Sequence, residues 1–190
     1  LPPDARPAGF VPQGAFRRGS NMHDTEDKRW WCKHGQQLEV AFVDNCARIG
    51  LRARINPDKA TNVYAPDLIV NDCLADLKAQ TTPFFSARKY GMNPRFTVTF
   101  NRKDYERYRE LYPDLVVYFW INWQTLSWRD INVKPLSAVF RSPFNRLAGM
   151  VTSGAVEHRY RRREDDRSGN ARSSFLIDAR ALEFIAPLHL

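Results

Sequence analysis

Cysteine is scarce in this chain. The three present among 190 residues, Cys32, Cys46 and Cys73, stand far apart without C-x-x-C spacing. That excludes a zinc-ribbon arrangement and any obvious disulfide framework. Free thiols suit a reducing compartment, so a cytoplasmic setting is expected. Histidine is nearly as rare. His23, His34, His158 and His189 form no pair at helical metal-ligand spacing, so zinc hydrolase chemistry is not expected. Long apolar runs are missing too, which leaves no expected membrane span and no membrane partner. The opening "LPPDARPAGF" has no basic segment followed by an apolar stretch, so no secretory signal is read there.

Positive charge is plentiful. Lys and Arg number 29 against 21 Asp and Glu, a formal net charge of +8. The basic residues cluster beside tyrosines in "SARKYGMNPR", "NRKDYERYRE" and "EHRYRRREDDR". Such interleaving suits phosphate and base contacts and points to nucleic acid. A 43% hydrophobic content is enough to bury one core.

Three parts are expected. Residues 1–23, rich in Pro and Gly, read as an extended N-terminal arm. Residues 24–135 read as the core, and residues 136–190 as a C-terminal extension packed on the same domain. Asp24 or Thr25 can cap a first helix, Gly35 can split or bend it, and Gly50 can stop it. Leu38, Ala41, Phe42, Cys46 and Ile49 recur at helical spacing. Glu39 borders that apolar stripe rather than the solvent face. "LRARINP", "DLIV", "CLADLKA" and "PRFTVTF" read as strands, and "NRKDYERYRELY" as a helix capped by Asn101. "DLVVYFWINW" reads as a buried strand. Beyond it, "TLSWRDINV" looks like a strand, "PLSAVFRSPFNRLAGMV" looks helical apart from Pro143, and "FLIDARALEFIAP" is a last strand or helix.

The segment "YAPDLIVNDCLADLKAQTT" carries charges inside two apolar runs, which is costly unless they are paired or used. Asn71-Asp72 suits a two-residue hairpin turn. With the turn centred there, Val70 faces Cys73, Ile69 faces Leu74, Leu68 faces Ala75, and Asp67 faces Asp76. Lys78 and Gln80 extend the same face by the two-residue period of a strand. Two opposed aspartates destabilise a strand pair. A hard cation such as Mg²⁺, held by one or two carboxylates with water and phosphate, reverses that penalty. Asp76 and Lys78 could equally form a plain edge-strand ion pair.

Pro66-Asp67, eight intervening residues, then Asp76-Leu77-Lys78 resembles the defining pattern of the PD-(D/E)xK nuclease superfamily. The resemblance implies an α/β, restriction-endonuclease-like core: a mixed central β-sheet flanked by helices in αβββαβ order, with the N-terminal arm and C-terminal additions. It implies a Mg²⁺-dependent DNA phosphodiesterase, with Mn²⁺ able to substitute. Asp67 and Asp76 would bind the metal, with the Leu77 carbonyl and Glu39 as further ligands. Lys78 would position or activate water, and Gln80 matches a polar position two residues on. Cleavage would leave a 5′-phosphate and a 3′-hydroxyl. The stretch after Gln80 does not match the downstream helix motif of the exonuclease branch.

Arg88, Lys89 and Arg95, and the run Arg161, Arg162 and Arg163, are candidate phosphate contacts. Phe84, Phe85 and Tyr90 are either base-stacking residues or loop anchors in the core. Trp30, Trp31, Trp120, Trp123 and Trp128 read as packing residues. The expected activity is an endonuclease on double-stranded DNA in restriction, recombination, repair or a mobile element, as a homodimer or within a larger complex. Two alternatives stay open: a catalytically inactive nucleic-acid-binding subunit of the same fold, and a nuclease preferring RNA or single strands.

Overall fold

A computed structural model describes residues 28–160 and 173–189 of the chain. The expected arm at 1–23 and the run Arg161, Arg162 and Arg163 lie outside the described residues.

The hairpin forms in the register that its turn chemistry dictates. β1 (Ala53–Ile55), β2 (Leu68–Val70) and β3 (Cys73–Gln80) run antiparallel in sequence. Val70 pairs with Cys73, Ile69 with Leu74 and Leu68 with Ala75. Asn71 and Asp72 take φ of 48° and 66°, the left-handed pair that a tight hairpin needs and that Asn and Asp tolerate.

Next come β4 (Thr97–Asn101), α2 (Arg102–Leu111), β5 (Val116–Asn122), β6 (Ser127–Trp128), β7 (Ile131–Asn132) and β8 (Ser137–Pro143). Then follow α3 (Phe144–Thr152), β9 (Glu157–Arg159), β10 (Ser173–Asp178) and β11 (Glu183–Ala186), while α1 (Lys28–Cys46) opens the described chain. The central sheet has the order β1-β2-β3-β5-β8-β11. It is mixed, because β3 and β5 are parallel and their neighbours antiparallel. Two of its six strands, β8 and β11, come from residues beyond 136. A second sheet has the order β4-β10-β9.

Helices and the second sheet cover the two faces of the central sheet. On one face Phe42 and Cys46 of α1 pack on Leu68, Ala75, Leu77, Tyr118, Trp120 and Val139. Burying Phe42 alone contributes about 1.5–3 kcal/mol. On the other, Val117, Phe119 and Ile121 meet Tyr105 and Tyr108 of α2, Phe144 of α3, and Val98 and Phe100 of β4. β5 is thus buried on both sides, which explains its unbroken apolar sequence.

Several local expectations fail for tertiary reasons. Gly35 does not split α1, which continues through it. "PLSAVFRSPF" is strand rather than helix because Ser137–Pro143 pairs along the length of β5; the helix begins only after Pro143. Asn101 does not cap α2 with its side chain, since that oxygen accepts from Ser174 Oγ at 2.7 Å. "TLSWRDINV" folds as the short β6–β7 hairpin, turning where Arg129 takes φ 52°. "FLIDARALEFIAP" is two strands in different sheets, joined by one 3-10 turn at Ala179–Ala181.

Candidate active site

Asp67 lies just past the paired part of β2. The ladder ends at Leu68 and Ala75, and the Asp67 side chain takes over where the backbone stops. Its Oδ2 accepts from the Leu77 amide at 3.4 Å, and its Oδ1 lies 2.6 Å from Lys59 Nζ. The same ammonium lies 2.6 Å from Glu39 Oε2 on α1. Lys59 sits on a 3-10 turn, Pro57–Ala60, capped by Asn56. The buried Asn56 ties both ends of that loop: its Oδ1 accepts from the Asp58 amide at 3.2 Å, and its Nδ2 donates to the Pro66 carbonyl at 2.9 Å. Burial works against the Lys59 charge, but hydrogen bonds and charge from Asp67 and Glu39 outweigh it and hold the ammonium above its ordinary pKa.

Asp76 and Lys78 form a second, deeper group. Lys78 Nζ is 2.7 Å from Asp76 Oδ2 and 2.6 Å from Asp104 Oδ2 on α2, and donates to Tyr108 Oη at 3.3 Å. Arg107 Nη2 donates to Asp104 Oδ1 at 2.9 Å and to Tyr108 Oη at 3.0 Å. The Asp76 side chain is only 3% exposed. Its Oδ2 is ion-paired with the Lys78 ammonium at 2.7 Å, and the Tyr108 hydroxyl is a further hydrogen-bonding neighbour of the carboxylate.

The two partners titrate in ways that conflict with a simple pair. Burial pushes Asp76 above its ordinary pKa, Lys78 pulling against this and the Asp67 charge adding to it. Lys78, although burial opposes its charge, is held well above its ordinary value by Asp76, Tyr108 and Asp104. Several anionic or hydroxyl oxygens converge on the one Lys78 nitrogen and keep it charged. Lys78 is a fixed cation shared between Asp76 and Asp104.

A cleft of about 230 Å³ opens beside these groups, lined by Gly35, Leu38 and Glu39 of α1, Leu77 to Gln80 of β3, and Thr99 and Asn101 of β4. Asp67 and Asp76 do not line it. Both ends of the Gln80 amide are engaged by Thr99, Nε2 donating to its carbonyl at 3.1 Å and Oε1 accepting from its amide at 3.3 Å. Gln80 therefore stitches the two sheets together.

The candidate metal ligands are close but divided. Glu39 and Asp67 share Lys59, while Asp76 faces Lys78. Among the described residues, no three of His, Cys, Asp and Glu gather into a cluster able to hold an ion by themselves. Mg²⁺ needs only one or two carboxylates when water and phosphate complete its shell. Asp67 and Asp76, close enough that the charge of one raises the pKa of the other, supply two carboxylates of that kind.

No family model matches the sequence, and no curated protein matches it either. Among solved structures, the chain is similar to the Holliday junction resolvase Hjc of Archaeoglobus fulgidus, an archaeal hyperthermophile. The identity is 11%, with 80% of this chain and 92% of that chain covered and a TM-score of 0.40. The likeness is slight, and no functional assignment rests on it.

The candidate phosphate contacts divide by environment. Arg88 and Lys89 are exposed on the 3-10 turn Phe85–Tyr90. Arg95 is half-buried, donates to the Pro135 carbonyl at 3.1 Å and lies over the Phe96 ring, which is a packing role. Phe85 is a core anchor. Phe84 packs edge-on against His158, whose Nδ1 is 2.8 Å from Tyr90 Oη. Of the described tryptophan side chains, Trp120 and Trp123 are buried and Trp128 is 44% exposed.

Sequence reasoning missed Lys59 and Asp104, and read Arg107 and Tyr108 only as residues of a helix whose basic side chains usually face water. Asp104, Arg107 and Tyr108 stand at i, i+3 and i+4 on α2, a same-face spacing that could have drawn notice. Lys59, inside "DKATN", carries no periodic signal at all.

Proposed function

We propose that this chain is a divalent-metal-dependent nuclease of the PD-(D/E)xK type, with a restriction-endonuclease-like core, that hydrolyses phosphodiester bonds in DNA. One observation carries the reading: the buried Asp76 carboxylate, within electrostatic reach of Asp67, beside a lysine pinned by Asp104 and Tyr108 at the wall of an open cleft. One ammonium is shared between two carboxylates, Asp76 and Asp104, so this is not a one-to-one core salt bridge.

Asp76 and Asp67 would hold Mg²⁺ or Mn²⁺, Leu77 and Glu39 being the further candidates. When bound, the cation would supply Lewis acidity and neutralise charge at the scissile phosphate. Lys78 keeps its proton, so its role is to orient a nucleophilic water and to stabilise negative charge developing on phosphorus. Asp104 and Tyr108 hold that ammonium in place. The net charge of +8 and the exposed Arg88 and Lys89 favour a polyanionic partner.

The test is cleavage of plasmid, linear and branched DNA, with matched RNA and single strands, in Mg²⁺, Mn²⁺ or chelator. Metal-dependent cutting that Asp76→Ala and Lys78→Ala each abolish is expected. Cutting that persists in both variants removes the mechanism. A catalytically inactive nucleic-acid-binding subunit is the second reading, favoured by Lys59 neutralising Glu39 and Asp67. Its signature is salt-dependent DNA binding with no cutting in any metal.

A further inference from the structure

Lys59 presents an unusual arrangement. One ammonium lies 2.6 Å from each of two carboxylates, Glu39 on α1 and Asp67 at the end of β2. Those carboxylates come from different elements and would repel each other without a cation between them. The loop that brings Lys59 there is anchored at both ends by the buried Asn56 side chain. The lysine itself is 24% exposed. A four-carbon stem on a surface turn lets the nitrogen withdraw to water without backbone movement.

We infer that Lys59 is an internal counter-ion that a divalent metal must displace to enter the site. The inference rests on the proposal that Asp67 and Asp76 bind metal. The ammonium keeps Glu39 and Asp67 gathered in the metal-free chain and prevents their mutual repulsion from pushing α1 away from the end of β2. An incoming cation meets a like charge already in contact with Asp67, so metal binding by the free protein is weakened by the work of expelling it. Lys59 acts through the carboxylates and is a positioning residue.

The test is Mn²⁺ titration of the full chain by calorimetry, without nucleic acid. Lys59→Met is expected to bind Mn²⁺ about tenfold tighter than wild type, within the usual range of coupling between two sites. Lys59→Arg, which keeps the charge, stays near wild type, and Asp67→Asn cancels the gain when added to Lys59→Met. Unchanged or weaker binding by Lys59→Met, with wild type still binding, overturns the counter-ion role and leaves the metal site standing. Absence of Mn²⁺ binding in every protein overturns the metal site and the counter-ion with it. Should Lys59→Met fail to fold, amine-reactive footprinting of wild type decides. Lys59 labelling is expected to rise on Mn²⁺ saturation, and labelling that stays suppressed refutes displacement.

Discussion

Replacing Lys78 by methionine tests the deepest part of the site without any assumption about activity. Methionine keeps most of the stem's packing and removes only the charge. The Lys78, Asp76 and Asp104 side chains are 17%, 3% and 14% exposed, so the loss strands Asp76 in a poorly solvated place, while Asp104 keeps Arg107 at 2.9 Å. Removing one partner of a buried pair costs about 3–5 kcal/mol. Against a total stability of about 5–15 kcal/mol for a domain, the variant is expected to fold, but marginally. Urea denaturation gives the readout. With a slope near about 2 kcal/mol/M, the midpoint should fall by roughly 1.5–2.5 M at unchanged slope. Adding Asp76→Asn should recover most of that loss, because the penalty is the stranded charge rather than the missing contact. A midpoint within about 0.5 M of wild type, or no recovery in the double variant, would refute the claim that Lys78 neutralises Asp76.

Asn56→Ala removes the cap of the Lys59 turn and the bond to Pro66; a loss of about 2–3 kcal/mol is expected, read as a fall in Tm of roughly 5–10 °C. Asp72→Gly places glycine where φ is 66°, so thermal stability should hold or rise by up to about 0.5 kcal/mol; a clear loss would mean that the exposed Arg52–Asp72 pair matters. Glu157 is held below its ordinary pKa of 4.5 by hydrogen bonds from Ser173 and Arg102. Its contribution is therefore present above pH 4.5 and lost as pH falls through its depressed value. Urea midpoints across that acid window should drop more steeply for wild type than for Glu157→Gln, and parallel curves would contradict the assignment.

Local chemistry alone determined a good deal of this protein. Asn71-Asp72 set the hairpin register because only a left-handed two-residue turn joins those strands, and the period of two then follows along Asp76, Lys78 and Gln80. The run "DLVVYFWINW" could only be a strand buried on both sides. The helical stripe Phe42–Cys46 announced the face of α1 that meets the sheet. What tertiary structure alone decided is which charges meet. Lys59 reaches Glu39 and Asp67 only because a capped turn folds back over the end of β2. Asp104 reaches Lys78 only because α2 packs on the sheet face that Lys78 shares. Ser137–Pro143 became strand because β5 offered a free edge, whatever its own residues preferred. Turns and periodicities are written in neighbouring residues; ion pairs between distant elements depend on how those elements pack, and no local pattern carries that.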